Sequence, residues 1–279
     1  METRKIKYWP KKNLITDGYT EVYFESWAKF SEYLNTNMLD QNSCIWRGQR
    51  EQNWKLESAF DRSSKVNGSS SVFEEQDKRF RYACSGKLAA EELRKIEDPR
   101  ELWALGQHHG LHTPLLDWTE SPYVAAFFAF ADQDATKGAN EYRAVYCFYK
   151  QHAEIIESVR FESIRGELAR GSNPLKSLAY QFENQDHLTF YRPDISDNSR
   201  LISQSGLFSI SIGSIEDWVT RNSKGEDSIA YLQKLLIPES ERISALKALN
   251  RMNINFSTLY PDLEGASKHT NLYMEIENY

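Results

Sequence analysis

The side chains best suited to chemistry in this chain sit at three polar points set within apolar runs. The first is Asp117-Trp118-Thr119-Glu120, enclosed by "LHTPLL" and "SPYVAAFFAF". Asp117 is suited to three roles: a general base, an acceptor for a ribose hydroxyl, or a structural carboxylate receiving backbone N–H groups at a helix start. Thr119 offers its hydroxyl to a ligand or caps the helix. Trp118 reads as core, or as a flat ring at a cleft rim. The second point is Arg47-Gly48 in "SCIWRGQR". A guanidinium at a strand end suits two-pronged binding of phosphate or carboxylate, and the glycine lets a ligand approach the backbone. The plainer alternative is an ion-paired surface arginine. The third point is Gln204 in "SQSGLF". Its amide can meet a ribose or a base, or simply face water.

Three imidazoles, His108, His109 and His112, crowd "GQHHGLH". His108 and His112 have metal-ligand spacing on a helix, but Gly110 between them interrupts it, and no cysteine or second cluster completes a tetrahedron. No metal is expected. His108 and His109 are expected to brace Asp117 or contact a substrate, or else to bond the carbonyls that end a helix. No G-x-S-x-G, P-loop or G-x-G-x-x-G pattern occurs, which weighs against α/β-hydrolase, NTPase and Rossmann readings.

Elements that would position these groups follow from local patterns. "PLL" predicts a short buried strand, and Ser121-Pro122 predicts a helix start with a Ser cap and proline in the first turn. The knot therefore falls at a strand-to-helix corner. Strands are expected in "YTEVYFES", "SCIWRGQR", "RAVYCFY", "HLTFYRP", "RLISQSGLFSISIG" and "IAYLQKLLIP", with Gly206 as a bulge or close approach. Helices are expected after Ser26, over about 72–95, after Asp98-Pro99, over "SIEDWVTRN", after Pro238-Glu239 and over the last twenty residues. Glu239, Glu241 and Glu264 read as helix-start acids. The run "DRSSKVNGSSS" is the most loop-like stretch.

Composition narrows the class. A formal net charge of −6 and a pI near 5.6 give no overall basic footprint, although a local basic groove remains compatible with them. With 40% apolar residues the chain can bury a core. Cys44, Cys84 and Cys147 are odd in number and far apart, which fits a reducing cytoplasm. The start of the chain has no apolar signal region, and the apolar run around 123–131 is too short to span a bilayer. The expectation is a cytoplasmic protein with no membrane partner.

The order of these motifs resembles the FRG domain family. "WRG", "GQHHGLHTPLLDWTESPYVAAFFAF", "RLISQSGLFSI" and "YPDLEG" look like its successive blocks, over roughly residues 40–268. The family often carries "TRLLDW", where this chain has Pro114. The resemblance implies an FRG-type domain over 40–279, with residues 1–39 as an N-terminal extension packed on it. The order is also similar, more distantly, to ADP-ribosyltransferases of the arginine–serine–glutamate type. That likeness implies an α+β fold on a split, mainly antiparallel sheet, with NAD as substrate. Arg47 and Gly48 would then hold the NAD phosphates or ribose and Thr119 the nicotinamide ribose. Gln204, or Asp117 as a nearby carboxylate, would stand where the catalytic glutamate stands. The final glutamate of the Gln/Glu-x-Glu element is replaced by Gly206. The implied activity is ADP-ribose transfer to a nucleic acid or protein, in a bacterial toxin or antiphage defence effector with an antitoxin or regulatory partner. The alternatives are a non-catalytic nucleotide-binding or sensing module, and a nuclease-like enzyme using Asp117, His108 and His109.

Overall fold

A computed structural model describes residues 8–10, 19–63, 70–133, 141–168, 187–193, 199–223 and 231–279. The strands are β1 (Tyr8–Pro10), β2 (Tyr19–Phe24), β3 (Cys44–Gln49), β4 (Leu115–Thr119), β5 (Tyr142–Tyr149), β6 (Leu188–Tyr191), β7 (Gly206–Ser211) and β8 (Leu232–Pro238). The first seven helices are α1 (Trp27–Tyr33), α2 (Ala59–Ser63), α3 (Ser70–Cys84), α4 (Ala90–Lys95), α5 (Pro99–His108), α6 (Pro122–Phe130) and α7 (Lys150–Leu168). The later ones are α8 (Ser199–Ser203), α9 (Ile215–Asn222), α10 (Arg242–Arg251), α11 (Phe256–Leu259) and α12 (Leu263–Glu275). Among the described residues no helix is long and apolar enough to cross a membrane.

The strands form one mixed sheet in the order β1-β2-β8-β5-β3-β4-β7-β6, antiparallel throughout except for the parallel pair β2 and β8. The fold is α+β. The pairing gives one continuous mixed sheet rather than the split one that the resemblance implied. β3 pairs with β5 along its whole length and β4 with β7 along its whole length, but β3 and β4 meet only at Trp46 and Thr119. The sheet is thus nearly severed between β3 and β4. The segment before residue 40 supplies β2, which pairs with the interior strand β8, and α1, whose Trp27, Phe30 and Tyr33 lie in the main core.

Helices cover both faces. One core joins Phe24, Phe30, Phe127, Phe130, Leu246 and Phe256. Another, containing Ile45, Trp118, Phe148 and Trp218, lies on the opposite face, as the alternation of side chains along a strand requires. A third, with Phe60, Phe73, Trp103 and Phe208, supports the β4–β7 end.

α6 forms as its sequence dictates. Ser121 accepts the amide of Val124, and Pro122 occupies the first turn. Nearly every later side chain is buried. The helix lies so close to β3 that a Cβ added to Gly48 would stand 1.8 Å from the Ala125 carbonyl oxygen. The close approach anticipated at Gly48 is made by this helix backbone.

Three local expectations need correction. The helix expected over 72–95 is two, α3 and α4, separated by a turn at 85–88. The strand expected over 200–213 begins only at Gly206 and ends at Ser211. Residues 199–203 coil into α8, and Ser205 adopts a left-handed φ of 48° in the turn between them. Gln204 therefore stands in a turn, and Gly206 opens β7 against the side chain of Leu201. β4 continues through Asp117, Trp118 and Thr119, so the corner itself is only Glu120-Ser121. α7 was not anticipated. Positions 64–69 of the polar run, and the N-terminal lead-in apart from 8–10, lie outside the described residues.

Candidate functional site

Where β3 and β4 part, a cleft of about 290 Å³ opens. Trp46, Arg47 and Gly48 line it from β3, and Asp117, Trp118 and Thr119 from β4. Phe128, Gln204 and Tyr260 complete the wall. The three polar points of the sequence thus meet in one place.

Arg47 is held by one good bond. Its Nη1 donates to the Asp117 backbone carbonyl at 2.7 Å and lies 3.6 Å from the Asp117 carboxylate. Its Nε is buried with no acceptor among the described residues. Burial pulls the guanidinium down from the usual arginine range, against the opposing pull of Asp117. A buried N–H without a partner is costly, so Arg47 is placed to gain from an anion in the cleft.

Among the described residues the Asp117 carboxylate accepts no backbone N–H, so the structural one of its three roles has no bond there; β4 carries it out along an extended strand. It accepts Gln107 Nε2 at 2.7 Å, and its side chain is 62% exposed. Gln107 is fixed in turn by the Thr113 hydroxyl, which donates to its Oε1. The chain Thr113–Gln107–Asp117 holds one carboxylate oxygen and leaves the other facing Arg47. Sequence reasoning passed over Gln107, although it begins the histidine block. The polar residue immediately before "HHG" on the last turn of α5 was the available signal.

Thr119 has the opposite character. It is buried; its hydroxyl donates to the Gln204 carbonyl at 2.6 Å and accepts the Ser121 amide at 3.1 Å. With Glu120 N donating to Ser205 O at 3.0 Å, it ties the Gln204 turn to the end of β4. The Gln204 side-chain Nε2 donates to Leu259 O at 3.1 Å. Trp118 is core: its indole N–H donates to Ser209 Oγ at 2.8 Å.

A second chamber of about 250 Å³ shares Asp117, Gln204 and Tyr260 with the cleft and adds Gln107, His108 and Arg200. Desolvation, with Arg200 nearby, holds His108 below the usual imidazole value. His109 packs edge-on against His108 with centroids 5.0 Å apart and lines neither chamber. Gln107, and neither histidine, braces Asp117. Among the described residues no group of three or more His, Cys, Asp or Glu is placed to hold a metal ion.

Arg200 was quoted in the sequence but given no task. It pairs with Asp262 and Glu264 and stacks over Tyr260 at 4.9 Å, so "YPDLEG" is clamped to α8 and Tyr260 is set in the wall. Burial pushes the Tyr260 phenol up to about 12, which leaves it a neutral donor.

Residues 42–138 match the FRG domain. The FRG match takes in Arg47, the histidines, the knot and α6, and stops before Gln204 and Tyr260. No curated protein and no solved structure matches the chain.

Proposed function

We propose that the cleft binds NAD and transfers its ADP-ribose to a macromolecular acceptor, protein or nucleic acid. The observation that supports this reading is the meeting of Arg47, Asp117 and Gln204 at the parting of β3 and β4, with Arg47 Nε unmatched. In this reading Arg47 takes the diphosphate. Tyr260 and Phe128 offer rings to the nicotinamide or adenine. Gly48 serves close packing, and Thr119 serves the ligand only by fixing the Gln204 turn.

The ADP-ribosyltransferase resemblance requires a carboxylate near the nicotinamide ribose. Gly206 cannot supply it. Asp117 is the single carboxylate among the described residues lining the cleft. We assign it to the ribose 2′-hydroxyl, where a negative charge stabilises an oxocarbenium-like transition state. The bond from C1′ to nicotinamide breaks, and nicotinamide leaves with the bonding pair. An acceptor nucleophile bonds to C1′ and releases its proton. Gln204 Oε1 would accept a further ribose hydroxyl.

The reading is tested with NAD labelled in the adenylate phosphate, incubated with the protein and cell lysate, and followed by fractionation. Label in a macromolecular fraction with an equal amount of free nicotinamide is expected, and Asp117→Asn should abolish both. The setting implied by the family resemblance, a toxin or antiphage effector restrained by a partner, predicts growth arrest on expression that the same variant relieves. Gly206 also favours a second reading, a nucleotide-binding or sensing module without catalysis. Bound NAD with no nicotinamide release would select it. Absence of NAD binding would overturn both.

A further inference from the structure

On the other side of Arg47 a groove of about 520 Å³ continues from the cleft. It shares Arg47, Gly48 and Phe128 with the cleft and adds Arg50, Trp54, Lys55 and Arg62. Four cations, Arg47, Arg50, Lys55 and Arg62, face two acids, Glu57 and Asp132, in a chain whose formal charge is −6. A basic groove in an acidic protein marks a local preference for anions.

Lys55 is the most loosely held of the cations, whereas Arg62 donates to the Glu57 carbonyl and Arg47 to the Asp117 carbonyl, each keeping further donors. Lys55 lies 3.6 Å from Asp217, both more than half exposed, and Arg50 lies 3.3 Å from Glu51. An exposed pair such as Lys55–Asp217 is worth about 0–1 kcal/mol and yields to a phosphate. Trp54 is 51% exposed at the groove, with the Arg50 guanidinium 5.2 Å from its ring centroid. Its backbone is fixed independently of its side chain, since Trp54 O accepts the buried Tyr146 hydroxyl at 3.2 Å. A half-open indole among cations is the combination that stacks an unpaired base while binding its phosphates.

We infer that this groove binds single-stranded nucleic acid, with a base on Trp54 and phosphates on Arg50, Lys55 and Arg62. The acceptor of the transfer is then a nucleic acid. This last step rests on the function proposed above; the binding itself does not. Duplex is disfavoured because its bases are already stacked.

Fluorescence anisotropy of labelled single-stranded RNA and DNA oligonucleotides with the full chain tests the inference at two salt concentrations. Single strands should bind better than duplex, and more weakly as salt rises. Trp54→Ala should weaken binding about 5- to 100-fold with unchanged thermal unfolding. Lys55→Ala should lower the salt slope by about one. Asp117→Asn should bind the oligonucleotide as wild type does. Absence of NAD chemistry in the wild-type protein with oligonucleotide binding intact would therefore fault the enzymatic reading and spare the groove. Three results would overturn the inference: no oligonucleotide binding at low salt, wild-type binding by Trp54→Ala, or equal binding of an acidic peptide. Full displacement of the oligonucleotide by ADP-ribose would give the groove to the dinucleotide's own adenosine, and would overturn it as well.

Discussion

Two arginines on neighbouring strands are treated in opposite ways. Arg143 of β5 is fully buried, and each of its three guanidinium nitrogens has an acceptor. It grips Glu239 through both Nε and Nη2, and its Nη1 donates to Ala129 O at 3.2 Å. Arg242 joins it, donating to Phe130 O at 2.8 Å and Ala131 O at 3.0 Å. Together they satisfy the carbonyls that α6 leaves open at its C-terminus, where positive charge is favoured. Arg47 of β3 is 20% exposed, holds one carbonyl well, and keeps a buried Nε without an acceptor. Burying a guanidinium is costly unless every donor is matched. The matched arginine is scaffold. The unmatched one is the contact that the proposed function gives to a ligand.

The largest effect should come from removing the scaffold arginine. Arg143→Met leaves Glu239 and the Ala129 carbonyl unpaired, and should cost about 3–5 kcal/mol in denaturant unfolding. Arg47→Ala should cost about 1 kcal/mol or less, since it loses one bond and one weak pair. Equal losses from the two would erase the distinction.

Gly48→Ala comes next. The added methyl meets backbone, which cannot swing aside, so α6 must lift from β3 and the melting temperature should fall by the equivalent of about 1–3 kcal/mol or more.

Thr119→Val should cost about 1–3 kcal/mol, because the Ser121 amide loses its acceptor and the Gln204 carbonyl its donor. Asp117→Asn, with its exposed side chain, should unfold within about 1 kcal/mol of wild type and yet lose turnover. The pair separates brace from reactant. A Thr119→Val protein as stable as wild type but inactive would return the hydroxyl to the ligand.

The smallest effect is a pH dependence at the cleft wall. The Gly265 amide and Arg200 hold the Asp262 carboxyl below its usual range. A carboxyl depressed in the folded state adds stability above its unfolded value of about 4, and that stability is lost as pH falls through the folded value. Thermal unfolding should therefore drop slightly on acidification below about pH 4, and Arg200→Ala should flatten that dependence.

Much of this scaffold was legible in the sequence because it depends on local rules. Ser121-Pro122, Asp98-Pro99, Ser26 and Ser214 cap helices as their types require. The apolar strands β5 and β8 announce themselves as buried runs. What was not legible depends on partners distant in sequence. Residues 199–203 alternate well enough for a strand, but tertiary context coils them against Gly206. The settings of Asp117 and Thr119 were not legible either: nothing local says that β4 extends through the knot, or that Thr119 meets the Gln204 carbonyl. Gln107 gained meaning only once α5 was seen to end beside Asp117. Arg47 was visible as a candidate, but its unmatched Nε depends on a joint one residue pair wide between β3 and β4.

The central claim is that Arg47 waits for the diphosphate of NAD. Calorimetric titration of NAD into wild type, Arg47→Lys and Arg47→Ala tests it most directly. The account predicts saturable binding to wild type and a loss of about tenfold or more in both variants, because an ammonium cannot reproduce the two-pronged fork. Undiminished binding by folded Arg47→Ala, or no binding by wild type, would contradict it.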